Sequence, residues 1–396
     1  MKSFPIGYYN FSKDEALNFQ LNRFYSNRSL SYEELMEIGS KVKSFEEWIA
    51  CFTELGRTAE KNGEYRKAAQ SYRAAQFYTL GETKAANGMP MKKVLYEKCR
   101  ENYDKVFSEK EDLQYDRVPY QTGYLPVYHM TPQSSKGVIV IHGGYDSFVQ
   151  EFLEFLFYFY EKGYTVFFFE GPGQGEVLHR YNLKMTHEWE NCTSAVLDYY
   201  HLTDITLIGI SLGGYLATRA AAYDKRISRL IMYDLIYDFY GSLKARMGKG
   251  KGLFFDWMLR NEKNPFWGIV EKKMNQIYFT KWLLQQGYEI YENVHTPYEY
   301  FHHIKRYNTR ELSKLITQDT LVLAGEHDIY TVFYQQQLDA LANAKSVTGT
   351  IFTQAESADH HCQIGNLGLV LETMEEWIRE HSDISKCAYQ LCSAAR

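Results

Sequence analysis

Residues 205–223 read ITLIGISLGGYLATRAAAY, and this stretch decides the fold. Its first six residues are an unbroken apolar run of strand length, and the residues from Leu212 onward have the period of a helix. Between the two stands Gly209-Ile210-Ser211-Leu212-Gly213, a G-x-S-x-G pattern. The pattern alone says little, because roughly one chain in ten of this length holds it by chance. Its setting says more. A sharp turn from a buried strand into a helix is the arrangement that presents a serine hydroxyl for attack. The flanking glycines let strand and helix approach each other, and the helix N-terminus favours negative charge developing beside the serine. Ser211 is the candidate nucleophile, and the plain alternative is a tight turn.

Outward from this turn, short apolar runs alternate with helical stretches. GVIVIH (137–142), YTVFFFEG (164–171), RLIMYDL (229–235), DTLVLAGEHD (319–328) and SVTGTIFT (346–353) read as strands, with helices over 148–162, 185–201 and 367–381. Strands apolar on both faces that alternate with helices predict a doubly wound, mostly parallel sheet. Two stretches break the rhythm. Residues 1–112 read as a helical N-terminal cap, with two amphipathic runs over 45–80 parted at Asn62-Gly63 in the manner of a single tetratricopeptide-like hairpin. Residues 236–315, rich in Trp, Tyr and Phe, read as a helical insertion. The α/β core then occupies 113–235 and 316–396, and the tail after Ser382 carries no pattern.

A serine hydroxyl needs a base, and that base needs an orienting acid. In a sheet of this kind the acid follows a later strand and the histidine follows the last one. Asp328 closes the run 319–328 and is the expected acid, with Glu326 and His327 as neighbouring rivals. The run Ala358-Asp359-His360-His361-Cys362 follows the last strand, and spacing alone does not choose between its two histidines. Cys362 reads as a small packed residue. The oxyanion hole needs the N–H of Leu212 and a second one from His142-Gly143-Gly144-Tyr145-Asp146, where Gly144 or Tyr145 is the expected donor.

Composition bounds the rest. The 396 residues exceed one average domain, and a net charge of −5 gives no reason to expect nucleic acid or an anionic membrane as partner. Aromatic residues make up 16% of the chain, which suits an aromatic core and also a pocket for a flat ligand. The first residues lack the basic and apolar segments of a secretion signal, and no apolar run is long enough to span a bilayer. Cys51, Cys99, Cys192, Cys362, Cys387 and Cys392 form no C-x-x-C pair, so free thiols in a reducing cytoplasm are expected. Glu170-Gly-Pro-Gly-Gln-Gly175 fails G-x-G-x-x-G at Glu176, and His187-Glu188-Trp189-Glu190-Asn191 fails H-E-x-x-H at its last position. His302-His303 reads as a polar patch. No metal or organic cofactor is expected. The expected partner is a small-molecule substrate, and a homodimer is allowed.

GGYDSFVQE (143–151), EGPGQGE (170–176), GISLGG (209–214) and ADHHCQIGN (358–366), together with the helical N-terminal region, carry a resemblance. The chain resembles the α/β-hydrolases, and within them the 2,6-dihydroxypseudooxynicotine hydrolases and the fungal hydrolases that shorten polyketides. More distantly it is similar to the fermentation-respiration switch esterases. The resemblance implies the α/β-hydrolase fold with two helical caps, and His361, which precedes Cys362-Gln363, as the catalytic histidine. It also implies an acyl-aromatic or β-diketone substrate held between cap and core, and in some members cleavage of a carbon–carbon bond. An acidic residue beyond the strand after the nucleophile helix is implied too. Asp234 and Asp238 stand there as candidate pocket acids, with Tyr237 and Tyr240 nearby. Three functions follow: a carbon–carbon hydrolase, an esterase or other acyl hydrolase, and, least expected, a non-catalytic scaffold.

Overall fold

The computed structural model describes residues 3–382; Cys387, Cys392 and the tail lie outside them. Eight strands form one sheet: β1 (Gln114–Tyr120), β2 (Gly123–Met130), β3 (Val138–His142), β4 (Thr165–Phe169), β5 (Ile205–Ile210), β6 (Ile227–Tyr233), β7 (Asp319–Gly325) and β8 (Ser346–Phe352). Their order is β1-β2-β4-β3-β5-β6-β7-β8; the pairs β1–β2 and β2–β4 are antiparallel and the remaining pairs are parallel. Every residue of β3, β4, β5 and β7 is buried, because helices cover both faces of the sheet. The edge strand β8 alternates instead, with one face against the core.

The six parallel strands are the six apolar runs of the sequence. The β1–β2 hairpin is an addition. QYDRVPY and GYLPVYHM mix charges and prolines, and their turn rests on Gln121 at φ +50°, so neither strand alternation nor a favoured turn pair marks them. The helix Gly175–Tyr181, which follows EGPGQGE, is likewise an addition.

The chain leaves β3 to one side for β4 and crosses to the other side for β5. Adjacent parallel strands whose connections diverge leave a crevice at their carboxyl ends. His142 and Gly209 pair in register there, so the loop after β3 and the turn after β5 emerge side by side.

Five helices precede the sheet: Glu15–Ser26, Tyr32–Lys41, Phe45–Lys61, Tyr65–Tyr78 and Met91–Phe107. The Phe45–Lys61 and Tyr65–Tyr78 helices pack as a hairpin, with Gly63 at φ +78° in the turn and the Trp48 indole donating to the Ala74 carbonyl at 2.8 Å. The insertion supplies Phe239–Met247, Lys249–Met258, Phe266–Gln276, Tyr278–Ile290 and Pro297–Ile304. The two helical regions touch. Tyr278 stacks on Phe45 at 5.0 Å and donates to the Tyr78 carbonyl at 3.0 Å, while Lys281 pairs with Glu82 at 2.6 Å. Cys51, Cys99, Cys192 and Cys362 are free thiols. Among the described residues no helix is long and apolar enough to cross a membrane.

Candidate active site

Ser211 sits at φ +62°, a left-handed conformation that a non-glycine residue adopts at a strain of about 1–3 kcal/mol. The strain is held by the surroundings: the Ser211 N–H donates to the Tyr233 carbonyl at 2.5 Å, and the Gly214 N–H donates to the Ser211 carbonyl at 2.8 Å. The glycines have a specific reason. A Cβ on Gly209 would lie 2.0 Å from the Gly213 carbonyl oxygen, and one on Gly214 would lie 1.9 Å from that of Asp234. Strand, helix and the segment after β6 therefore meet backbone to backbone.

The Ser211 Oγ lies 2.7 Å from His361 Nε2, and His361 Nδ1 lies 2.5 Å from Asp328 Oδ2. Asp328 follows β7, and the Tyr330 N–H donates to its other oxygen at 3.2 Å. His361 opens a short turn in which Cys362 and Gln363 take φ +52° and +46°. Asp234 supports that turn. Its carboxylate accepts from the Cys362 N–H at 2.7 Å and the Gln363 side-chain amide at 2.9 Å, and Oδ2 also stands 3.2 Å from His361 Nδ1. Burial alone would lower the imidazole pKa, but the Asp328 charge and the imidazole's hydrogen bonds to both carboxylates raise it well above the usual histidine range. Burial pushes Asp234 up to about 6, and the neighbouring Asp328 charge adds to that rise. For Asp328 burial acts upward too, yet the facing imidazole leaves its carboxyl below the ordinary value. The two carboxylates thus share one imidazole from the side opposite Ser211.

The alternatives at these positions are occupied elsewhere. His360 stacks on Tyr8 at 3.6 Å, His327 donates to Asp359 at 2.7 Å in an exposed loop, and Glu326 accepts from the Gln354 N–H at 2.7 Å. Two expectations need correction. Asp234 is at the acid end of the imidazole and backs the histidine turn, so it does not face a substrate at Ser211. Asp238 caps the helix Phe239–Met247 through the Gly241 N–H at 2.8 Å and pairs with Arg310, which leaves its carboxylate committed. Tyr240 likewise donates to Asp256 at 2.7 Å, and the Tyr237 ring packs near Phe333. The aromatic wall nearest the histidine is Tyr330, 5.4 Å from His361, with Phe239 behind it and Tyr145 beyond.

The loop after β3 lies against the turn after β5. A Cβ on Gly144 would lie 2.6 Å from the Leu212 nitrogen, so only glycine allows this approach. Among the described residues neither the Leu212 N–H nor the Tyr145 N–H meets a backbone carbonyl, so both stay available to an anionic oxygen. The loop is braced from three directions. The buried Gln174 amide donates to the Gly143 and Gly144 carbonyls at 2.9 and 2.8 Å, while its oxygen accepts from the Gly171 N–H at 2.9 Å. From the N-terminal helices, buried Arg73 donates to the Asp146 carbonyl at 2.5 Å and to Glu151 at 3.0 Å, with its guanidinium 3.8 Å over the Phe148 ring. From the insertion, Gln286 donates to the Asp146 carboxylate and accepts from Lys92. None of these residues was singled out by the sequence pattern. The signal that could have found Arg73 is a charge among Ala69, Tyr72 and Gln76, on the face that the helix buries.

Atoms of Asp234, His361 and Cys362 that could ligate a metal lie within 4.8 Å of one another. They are already committed to the hydrogen bonds above, and burial raises the Cys362 thiol away from the thiolate that a metal takes. The trio fits the support of a histidine better than a metal centre. A groove of about 640 Å³ runs between residues 182–188 and the helix Pro297–Ile304, where His187, His302 and Arg306 line it; Ser211, His361 and Asp328 do not.

Residues 138–363, more than half of the chain, match the family model described as the alpha/beta hydrolase family. The chain is 26% identical over 308 residues to the hydrolase acrC of Aspergillus aculeatus, covering 69% of each. It is 30% identical over 283 residues to the alpha/beta hydrolase psoB of Aspergillus fumigatus, covering 60% of this chain and 62% of that one. Among solved structures, the 2,6-dihydroxy-pseudo-oxynicotine hydrolase superposes with a TM-score of 0.64 at 20% identity, covering 92% of this chain and 96% of that one. The match spans the serine turn, the glycine loop and the histidine after the last strand, and the chain belongs to the alpha/beta hydrolase family.

Proposed function

We propose that the chain is a serine hydrolase in which Ser211 is the nucleophile, His361 the base and Asp328 its orienting acid, acting on a small acylated aromatic or β-diketone compound. The observation that carries this reading is the continuous chain of contacts from Ser211 Oγ to His361 at 2.7 Å and on to Asp328 at 2.5 Å. Ser211 attacks the substrate carbonyl while His361 Nε2 takes its proton. The carbonyl oxygen becomes anionic and accepts from the Leu212 N–H and from that of Gly144 or Tyr145. Collapse expels the leaving group, His361 returns the proton to it, and an acyl group stays on Ser211. Water, deprotonated by His361, then releases the carboxylic acid and restores the serine.

The carbon–carbon reading draws support from the second carboxylate. An imidazolium facing Asp328 and Asp234 is a weak acid, which suits a strongly basic leaving atom such as an enolate carbon. Because the Asp234 and Asp238 carboxylates are committed to other partners, His361 itself is the group assigned to deliver that proton. In this reading residues 1–112 and 236–315 are caps on a core of 113–235 and 316–396, and the free thiols fit a cytoplasmic enzyme. The test is kcat/KM for matched ketone and ester substrates, an acylated dihydroxybenzene against its phenyl ester analogue. Faster turnover of the ketone supports carbon–carbon cleavage. Turnover of the ester alone leaves an esterase, and turnover of neither overturns the substrate class.

A further inference from the structure

The insertion carries an apolar face that nothing among the described residues covers. Leu253, Phe254 and Trp257, on the helix Lys249–Met258, are 71%, 46% and 48% exposed. Phe266 and Ile269, on the helix Phe266–Gln276, are 40% and 52% exposed. The rings touch one another: Phe254 lies 5.5 Å from Trp257 and 5.3 Å from Phe266, and Trp257 lies 6.1 Å from Phe266. They form one patch rather than scattered single residues, and a contiguous exposed patch of this kind marks an interaction surface.

Charge identifies the partner. The chain as a whole is acidic at −5, yet residues 244–281 hold nine Lys and Arg against three Asp and Glu. Two of the nine are paired, Lys244 with Asp256 and Lys281 with Glu82. The other seven (Arg246, Lys249, Lys251, Arg260, Lys263, Lys272 and Lys273) are exposed. Four of them, Lys249, Lys251, Lys272 and Lys273, stand on the same two helices as the exposed rings. A second copy of the chain is a poor occupant, because an isologous contact would set these cations against themselves. Tryptophan and phenylalanine at the centre with lysines around them is the composition that settles at the boundary of an anionic bilayer, rings among the acyl chains and cations at the headgroups.

We propose that this face of the insertion seats the protein on an anionic lipid surface. Whole-chain charge conceals such a site, since the acidic remainder of the molecule outweighs it. The proposal does not depend on which bond the enzyme cleaves.

The experiment is co-sedimentation of the full chain with vesicles of phosphatidylcholine alone or with about one third phosphatidylserine. The wild type is expected to pellet with the anionic vesicles at low salt and to be released as salt rises. Replacing Lys249, Lys251, Lys272 and Lys273 together by Glu is expected to lower partitioning by at least about 100-fold. Phe254→Ser with Trp257→Ser is expected to abolish pelleting as well. Both variants should keep kcat/KM on a soluble ester, since the altered side chains are exposed and outside the triad. Equal behaviour on both vesicle types, or pelleting that survives both variants, overturns the proposal. So does absence of vesicle binding together with a solution dimer that either variant splits, which would assign the face to a second copy. Retention of an acidic protein without vesicle binding would assign it to a protein partner and overturn it equally.

Discussion

Replacing Gln174 by Ala tests whether the loop after β3 is held in place for catalysis or merely packed. The side chain makes three buried hydrogen bonds, to the Gly143 and Gly144 carbonyls and from the Gly171 N–H. The Gly143 carbonyl keeps a second partner in the His142 imidazole at 2.9 Å, so its loss is partial. The Gly144 carbonyl and the Gly171 N–H lose the partners described here, at about 1–3 kcal/mol each where water does not replace them. The expected loss of stability is therefore about 2–6 kcal/mol, read as a lower denaturant midpoint. The catalytic effect is separate. Once the two carbonyls are released the peptide can rotate and withdraw the Tyr145 N–H from the oxyanion. Loss of one such donor lowers kcat by about 10²–10³-fold with little change in KM. The assay is kcat and KM on a p-nitrophenyl ester, beside the inhibition constant of a trifluoromethyl ketone, which forms the tetrahedral adduct. That constant should rise in step with the fall in kcat/KM. A variant that is less stable but binds the ketone as tightly as the wild type would refute the reasoning and leave Gln174 a packing residue.

Ser211→Ala and His361→Ala should each lower kcat by about 10⁶-fold, and His360→Ala should leave most of it; fluorophosphonate labelling, followed by mass spectrometry, locates the reactive serine, and labelling away from Ser211 sinks the assignment. Asp328→Asn should lose less than the about 10⁴-fold known for a lone orienting aspartate, because Asp234 still faces the same nitrogen at 3.2 Å. Adding Asp234→Asn should bring the full loss, and a double-mutant cycle that shows simple additivity counts against shared support. Stability should depend on pH through Glu170, a buried carboxyl that accepts from the Val149 and Glu176 N–H groups and that burial raises to about 7. Its folded value exceeds the unfolded one, so its contribution is fully present below about pH 4.5 and is lost as pH rises through about 7. Glu170→Gln should be less stable in acid, where one N–H loses its acceptor, yet show a flatter decline between those limits; parallel curves for wild type and variant refute this.

The inner parallel strands were legible because they are buried on both faces and so read as uninterrupted apolar runs, as in ITLIGI and DTLVLAG. The β1–β2 hairpin was not, since an edge pair with one wet face tolerates Asp116, Arg117 and Pro119. The serine was legible for a local reason: five consecutive residues contain the strand end, the strained turn and the helix start. Asp328, the proposed acid, stands out in the sequence by its place at the end of a strand. The choice between His360 and His361 was not, because adjacent residues in a short turn point different ways, and Tyr8, hundreds of residues earlier in the chain, takes one of the two rings.

Sequence by itself determined the class of fold, the chain order of the proposed nucleophile, acid and histidine, and the helical stretches before and within the core, all of which rest on periodicity and local turn chemistry. Tertiary structure alone decided what surrounds the reacting atoms. Asp234 stands behind His361 because β6 and the histidine turn meet in space across 127 residues of chain, while Asp238, only four residues on, starts a helix and is spent as its cap. Arg73, Gln174 and Gln286 converge on one glycine loop from three separate segments. No local pattern encodes such a meeting, since a buried polar side chain declares its purpose only through the partner that the fold brings to it.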